Sequence, residues 1–251
     1  MKIKDVERTE RVRGEASFVT GEFALVYAEK VEKFISDHKK TMGDKWVKSA
    51  GSRLYNFQGR SGEGYILGSS TDMGVALATF CPEIPLITGE QLLNLYKQAG
   101  NKNPFGGVYI DFGAQINGQP NTNREQARIL LDDFKERGIK IGEGRVPNFN
   151  QLTLQADKDA GLVYRLADDV KETVSVSDYP FRSVGRNGLF GAYLGTGGNW
   201  VAYWNSLVSS VEYGRVVRYD AEGVAPKKLG GTTPKPKDLS ETLKQEFLKK
   251  F

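Results

Sequence analysis

The apolar residues of this chain recur every three to four positions in segments before Gly138, and mostly every second position beyond it. The first period belongs to amphipathic helices and the second to half-buried strands. Helices concentrated in one half and strands in the other argue for α+β rather than for regularly alternating units. The expectation is an α+β fold with a mostly antiparallel sheet. Three helices fall in the first half, the second half is β-rich, and a tethered amphipathic helix closes the chain.

Three helices carry local start and stop signals. One follows Thr20, places Phe23, Tyr27, Val31, Phe34 and Ile35 on one face, and meets a stop at Gly43. A second opens with the capping box Thr88…Gln91, carries Leu92, Leu95, Tyr96 and Ala99, and ends at Gly100. The third has the box Thr122…Glu125, the stripe Ala127, Leu130, Leu131 and Phe134, and the stop Gly138. Short apolar runs at 108–112 and 139–141 flank this last helix and suggest a strand–helix–strand crossover. Farther on, 151–155 and 161–167 alternate around a polar turn and read as a hairpin, and 199–208 with 211–219 as a second strand pair.

Near Gly223 the pattern stops, so residues 1–223 read as a single domain. Residues 224–237 read as an extended or flexible linker, with three prolines, four lysines and the pair Gly230-Gly231. Residues 238–251 restart a helix, with the box Asp238…Glu241 and apolar Leu239, Leu243, Phe247, Leu248 and Phe251. A helix of about 13 residues is marginal alone, so it is expected to dock on its own domain or to build a homo- or hetero-oligomer.

Composition excludes several chemistries. His38 is the only histidine and Cys81 the only cysteine, so a zinc site of several His and Cys ligands is not available. His38 lies near the end of a helix, where a cation is favoured as a capping or solvated group. A lone cysteine forms no internal disulfide and fits a reducing compartment. Residues 1–15 alternate charges without the apolar stretch of a signal peptide. No run approaches the roughly 18 apolar residues of a membrane span. The expected location is the cytoplasm, with no membrane partner.

Positive charge is unevenly spread. Residues 181–251 hold 11 Lys/Arg against 6 Asp/Glu, whereas the formal net charge of the whole chain is only +4. That surplus points to a polyanionic partner. The same region contains the densest glycine run, 185–198, beside Arg182 and Arg186; Gly185 and Gly188 would let backbone N–H groups approach a phosphate. If the stretch after it is a strand, Trp200 and Trp204 share a face. With Arg215 and Arg218 on a neighbouring strand, they would make a stacking platform for single-stranded nucleic acid. The competing reading fills the core with tryptophan and uses the glycines for turns.

Other signatures fail on context. The spacing Gly185-x-x-Gly188-x-x-Gly191 lacks the start of a dinucleotide fingerprint, and no phosphate loop ending in Gly-Lys-Ser/Thr exists. A Mg²⁺-dependent nuclease would need an upstream acid and an acid–x–Lys on one strand face. The nearest match is Asp157 with Asp169 and Lys171. Asp132-Asp133 and Asp168-Asp169 read as solvated charges. The sequence therefore leads to a nucleic-acid-binding, RNA- or DNA-binding, or ribonucleoprotein assembly subunit. The alternatives are the nuclease just described and a purely structural assembly subunit. No cofactor is implied, apart from Mg²⁺ if the nuclease reading holds.

Overall fold

The computed structural model describes residues 16–19, 22–55, 69–117, 124–140, 144–175, 178–184, 188–202, 207–208, 213–219 and 249. Along the chain these form β1 (Ala16–Phe18), α1 (Glu22–Met42), α2 (Asp44–Leu54), α3 (Thr71–Phe80) and α4 (Gly89–Gln98). Then come β2 (Tyr109–Asn117), α5 (Arg124–Glu136), β3 (Arg145–Val146), β4 (Leu152–Asp157), β5 (Gly161–Leu166) and β6 (Val174–Ser175). The last strands are β7 (Phe181–Val184), β8 (Gly188–Leu194), β9 (Trp200–Ala202), β10 (Gly214–Arg215) and β11 (Val217–Tyr219). Five helices with a curled, largely antiparallel sheet make a mixed α+β fold. The linker 224–237 and, apart from Lys249, the helix 238–251 lie outside the described residues.

The main sheet runs β6-β3-β2-β8-β9-β7, with β10 also laid against β2. Two of its pairings are parallel, β10 with β2 and β7 with β9; the others are antiparallel. Strands β4 and β5 form a separate hairpin, and β1 pairs with β11. The expected crossover is absent: 139–140 are not strand, and the strand after α5 is β3, antiparallel to β2. The expected pairing of 199–208 with 211–219 is also corrected. Strand β9 sits between β8 and β7, whereas β10 and β11 go to β2 and β1.

The three helices with local signals form over the expected spans, and the expected starts at Thr20 and Thr122 lie outside the described residues. At α4 the box is reciprocal: Gln91 N donates to Thr88 Oγ1 at 3.2 Å, and Thr88 N donates to Gln91 Oε1 at 2.9 Å. Gly43, Gly100 and Gly138 follow α1, α4 and α5 with positive φ, the conformation that ends a helix without a Cβ penalty. Two helices went unread. In α2 the buried residues Trp46, Val47, Ala50, Gly51 and Leu54 keep helical spacing. Residues 71–77 of α3 are all buried, so no amphipathic stripe marks it.

Helix α3 is the hub. It touches α1, α2, β2 and β4, and its Val75, Ala76 and Leu77 are fully buried in the larger apolar cluster. Gly74 lets the ring of Phe149 lie where a Cβ would come within 2.3 Å of it. At its first turn the wholly buried Asp72 carboxylate takes two bonds from Arg53 of α2, at 2.7 and 2.8 Å, and one from Tyr164 Oη of β5 at 2.5 Å. Arg53 also donates to the carbonyl of Leu162 at 3.2 Å. A second such tie corrects the solvated reading of Asp133, which is buried on α5. It accepts from Arg165 Nε and Leu166 N at 2.9 Å each.

Removing one partner of a buried pair strands the other charge. Asp72→Ala should therefore lower unfolding free energy by about 3–5 kcal/mol in a urea titration. Asp132→Ala, on the solvent side of α5, should stay within about 0.5 kcal/mol.

Candidate functional site

A smaller apolar cluster covers the other face of the sheet, and its centre is aromatic. Trp200 on β9 has no exposed surface. Its ring is stacked on Tyr179 at 5.5 Å and 17°, and meets Tyr96, Phe112 and Phe181 nearly edge-on at 5.6, 5.5 and 6.2 Å. These neighbours come from α4, β2 and the segment entering β7, so the ring is fixed on every side. Trp200 thus packs in the core and offers no face for a base to stack on. Trp204 lies outside the described residues.

Above this cluster lies a groove of about 460 Å³ between the later half of α4 and residues 178–180. Leu93, Tyr96, Lys97 and Asn101 form one side, and Asp178, Tyr179 and Pro180 the other. Leu93, Tyr96 and Lys97 fall on one helix face because they are three and four residues apart. Gly89 is one turn earlier on that face, where a Cβ would stand 2.4 Å from the hydroxyl oxygen of Tyr179. Glycine at this position therefore lets the tyrosine lie flat along the helix. Asn101 is the one described non-glycine residue with positive φ, at 59°, and its N–H returns to Tyr96 O at 3.0 Å. Asp178 is held in place by Ser175 N at 2.8 Å.

Two donors in this cluster have no acceptor among the described residues: the Tyr179 hydroxyl and Trp200 Nε1. Burial, with the Glu90 and Asp178 charges nearby, pushes the Tyr179 hydroxyl above its ordinary range, so it keeps its proton.

A second polar cluster lies where α3 begins. Ser69 Oγ donates to the buried Asp111 carboxylate of β2, and Tyr109 Oη donates to the Ser69 carbonyl at 2.9 Å. Gly214 of β10 packs so closely that a Cβ would meet Ser69 N at 2.5 Å. Burial pushes the Asp111 carboxyl from 3.8 up to about 7, against the opposing bond from Ser69. Tyr193, opposite Asp111 on β8, is raised by burial and by that carboxylate.

The structure scatters the other expected residues. Gly188 is buried at the start of β8 with φ 136°, paired with Asn117. Much of the glycine run is therefore strand, and its last part is a turn in which Gly198 N donates to Gly195 O at 2.9 Å. Arg215 is buried on β10 and donates to Gly214 O at 2.7 Å. Arg218 is half-buried on β11 opposite Ser17. Neither strand neighbours β9. Gly185, Arg186 and the Arg182 side chain lie outside the described residues. His38 sits inside α1, its Nδ1 2.8 Å from Phe34 O and its ring against Trp46.

The nuclease residues stand apart. Asp157 closes the β4–β5 turn by accepting from Asp159 N and Ala160 N at 2.9 and 2.7 Å. The register Leu152↔Leu166 to Asp157↔Gly161 puts exposed Asp169 and Lys171 beyond the far end of that hairpin. Five residue steps separate the two ends, about 17 Å. Among the described residues no group of three or more His, Cys, Asp or Glu is placed to hold a metal ion. Among them, too, no helix is long and apolar enough to cross a membrane.

No protein-family model matches the chain, and no curated protein or solved structure resembles it.

Asp111 gives a pH prediction. Its folded pKa lies above its unfolded value, so near neutrality the native state holds a proton that the unfolded state has released. That stability is complete below about pH 4 and is lost as pH rises through about 7. Thermal melts should show a fall between about pH 4 and about pH 7 that Asp111→Asn flattens.

Proposed function

We propose that the protein is a binding or assembly subunit that contacts single-stranded nucleic acid. In this reading the groove between α4 and 178–180 receives an unstacked base, and the basic C-terminal portion follows the phosphates. The groove carries the reading. Its volume of about 460 Å³ falls in the range of about 300–1,000 Å³ typical of small-ligand sites. Its polar groups match the parts of a nucleotide. The Asn101 amide and the Asp178 carboxylate suit the donors and acceptors of a base edge. Lys97, exposed on the last turn of α4, suits a phosphate.

The surplus of Lys and Arg begins at Phe181, the residue directly after the groove wall. An excess of positive charge in that part of the sequence favours a polyanionic partner. The base-binding role expected of Trp200 passes to the rings it supports, Tyr96 and Tyr179.

Fluorescence anisotropy of a short labelled single strand, titrated across salt concentrations, tests the proposal. Binding should weaken as salt rises, and Lys97→Ala should reduce the slope of log K against log salt by about 0.7, one phosphate contact. Asp178→Asn, which removes a negative charge from the rim, should tighten binding. The absence of binding at low salt, or binding indifferent to salt, would defeat the proposal.

A further inference from the structure

Among the described residues that line the groove, Asp178 is the one side chain that only accepts hydrogen bonds. It is also held in one orientation, because Ser175 N at the end of β6 donates to its Oδ2 at 2.8 Å. Each carboxylate oxygen accepts about two bonds, so both oxygens keep capacity toward the groove. The opposite side carries Lys97 and Asn101, whose side chains supply N–H donors. The two walls therefore differ in kind, with an acceptor on one and donors on the other.

Bases differ in the same terms. Adenine and cytosine each offer an amino group beside a ring-nitrogen acceptor, and uracil and thymine one N–H between two carbonyls. Among the common bases guanine alone sets two donors side by side, N1–H and the 2-amino group. That is the fork with which a guanidinium meets a carboxylate. Resting on the reading of the groove as a base site, we infer that the groove selects guanine. Asp178 accepts from N1–H and the 2-amino group, and the Asn101 amide donates to O6. Every other common base sets an acceptor against one of the carboxylate oxygens and loses a bond there. Lys97, facing the phosphate, treats all bases alike.

Guanosine, inosine and adenosine monophosphates make the test, since they share sugar and phosphate and hypoxanthine is guanine without the 2-amino group. In competition against a labelled strand of adenines, the wild type should prefer guanosine over inosine monophosphate by about fivefold, and over adenosine monophosphate by about tenfold. Asp178→Asn keeps an oxygen for Ser175 N but turns an NH2 toward the guanine donors. The guanosine and inosine compounds should then bind within about twofold of each other. Adenine keeps its single bond to the remaining oxygen, so the variant still holds the adenine strand more tightly through its lost negative charge. Lys97→Ala should weaken all three compounds by the same factor. A merely structural role for Asp178 would leave the guanosine-to-inosine ratio unmoved. No preference between those two in the wild type, or an undiminished one in Asp178→Asn, overturns the inference and leaves the base site standing. Displacement by none of the three defeats the base-site reading itself.

Discussion

Burying the Asp72 carboxylate is the constraint around which the rest of the chain is arranged. An ionised group without contact to water is tolerated only where its charge is matched and its lone pairs are used. Arg53 supplies the charge, Tyr164 a third hydrogen bond, and the first turn of α3 a favourable dipole. Those groups lie on α2, α3 and β5, so satisfying one carboxylate fixes how the helical half meets the β4–β5 hairpin. The reciprocal tyrosine bonds, Tyr27 to Leu54 O and Tyr55 to Ala28 O at 3.0 Å each, then set α1 against α2.

Strand β2 solves a second problem, that one sheet must feed two cores. Ile110 and Phe112 belong to the aromatic cluster, whereas Ala114 and Ile116 belong to the cluster around α3. Strict alternation would place all four on one face. The register against β8 shifts between Asp111 and Gly113 and exchanges the faces. Gly113 is required there because a Cβ would stand 2.4 Å from the Pro147 carbonyl, which accepts from Ala114 N at 3.1 Å. The same shift leaves Tyr109 and Asp111 facing the start of α3.

What could be read from the sequence follows the range of the interaction that decides each element. The Thr88…Gln91 box and the β4–β5 hairpin are settled by residues a few positions apart, and both are present as expected. The reading of β2 ended at Phe112 because alternation breaks at Gly113, where the strand in fact changes face. Helix α3 shows no stripe because it is enclosed all round, and only its Ser70 cap, accepting from Met73 N at 3.2 Å, leaves a local trace. The partners of β9, β10 and β11 are set by distant strands. Trp200 looked like a surface platform because the residues that enclose it, Tyr96, Phe112, Tyr179 and Phe181, come from elsewhere in the chain. Asp178-Tyr179-Pro180 carries no motif at all, so the groove emerges only when α4 is laid against it.

The groove's electrostatics limit what it can do alone. Lys97 and Asp178 stand on opposite sides and nearly cancel, and the C-terminal end of α4 presents carbonyls rather than N–H groups. Such a groove carries little net charge, with Lys97 the one cation in its lining. On the proposed reading most of the salt dependence would come from the Lys and Arg surplus of residues 181–251, and shape recognition from the groove. Rigid support suits that division. Trp200 is locked by four rings and in turn holds Tyr179, stacked on it, against Gly89 at the start of α4, so that wall of the groove is set by the core beneath it.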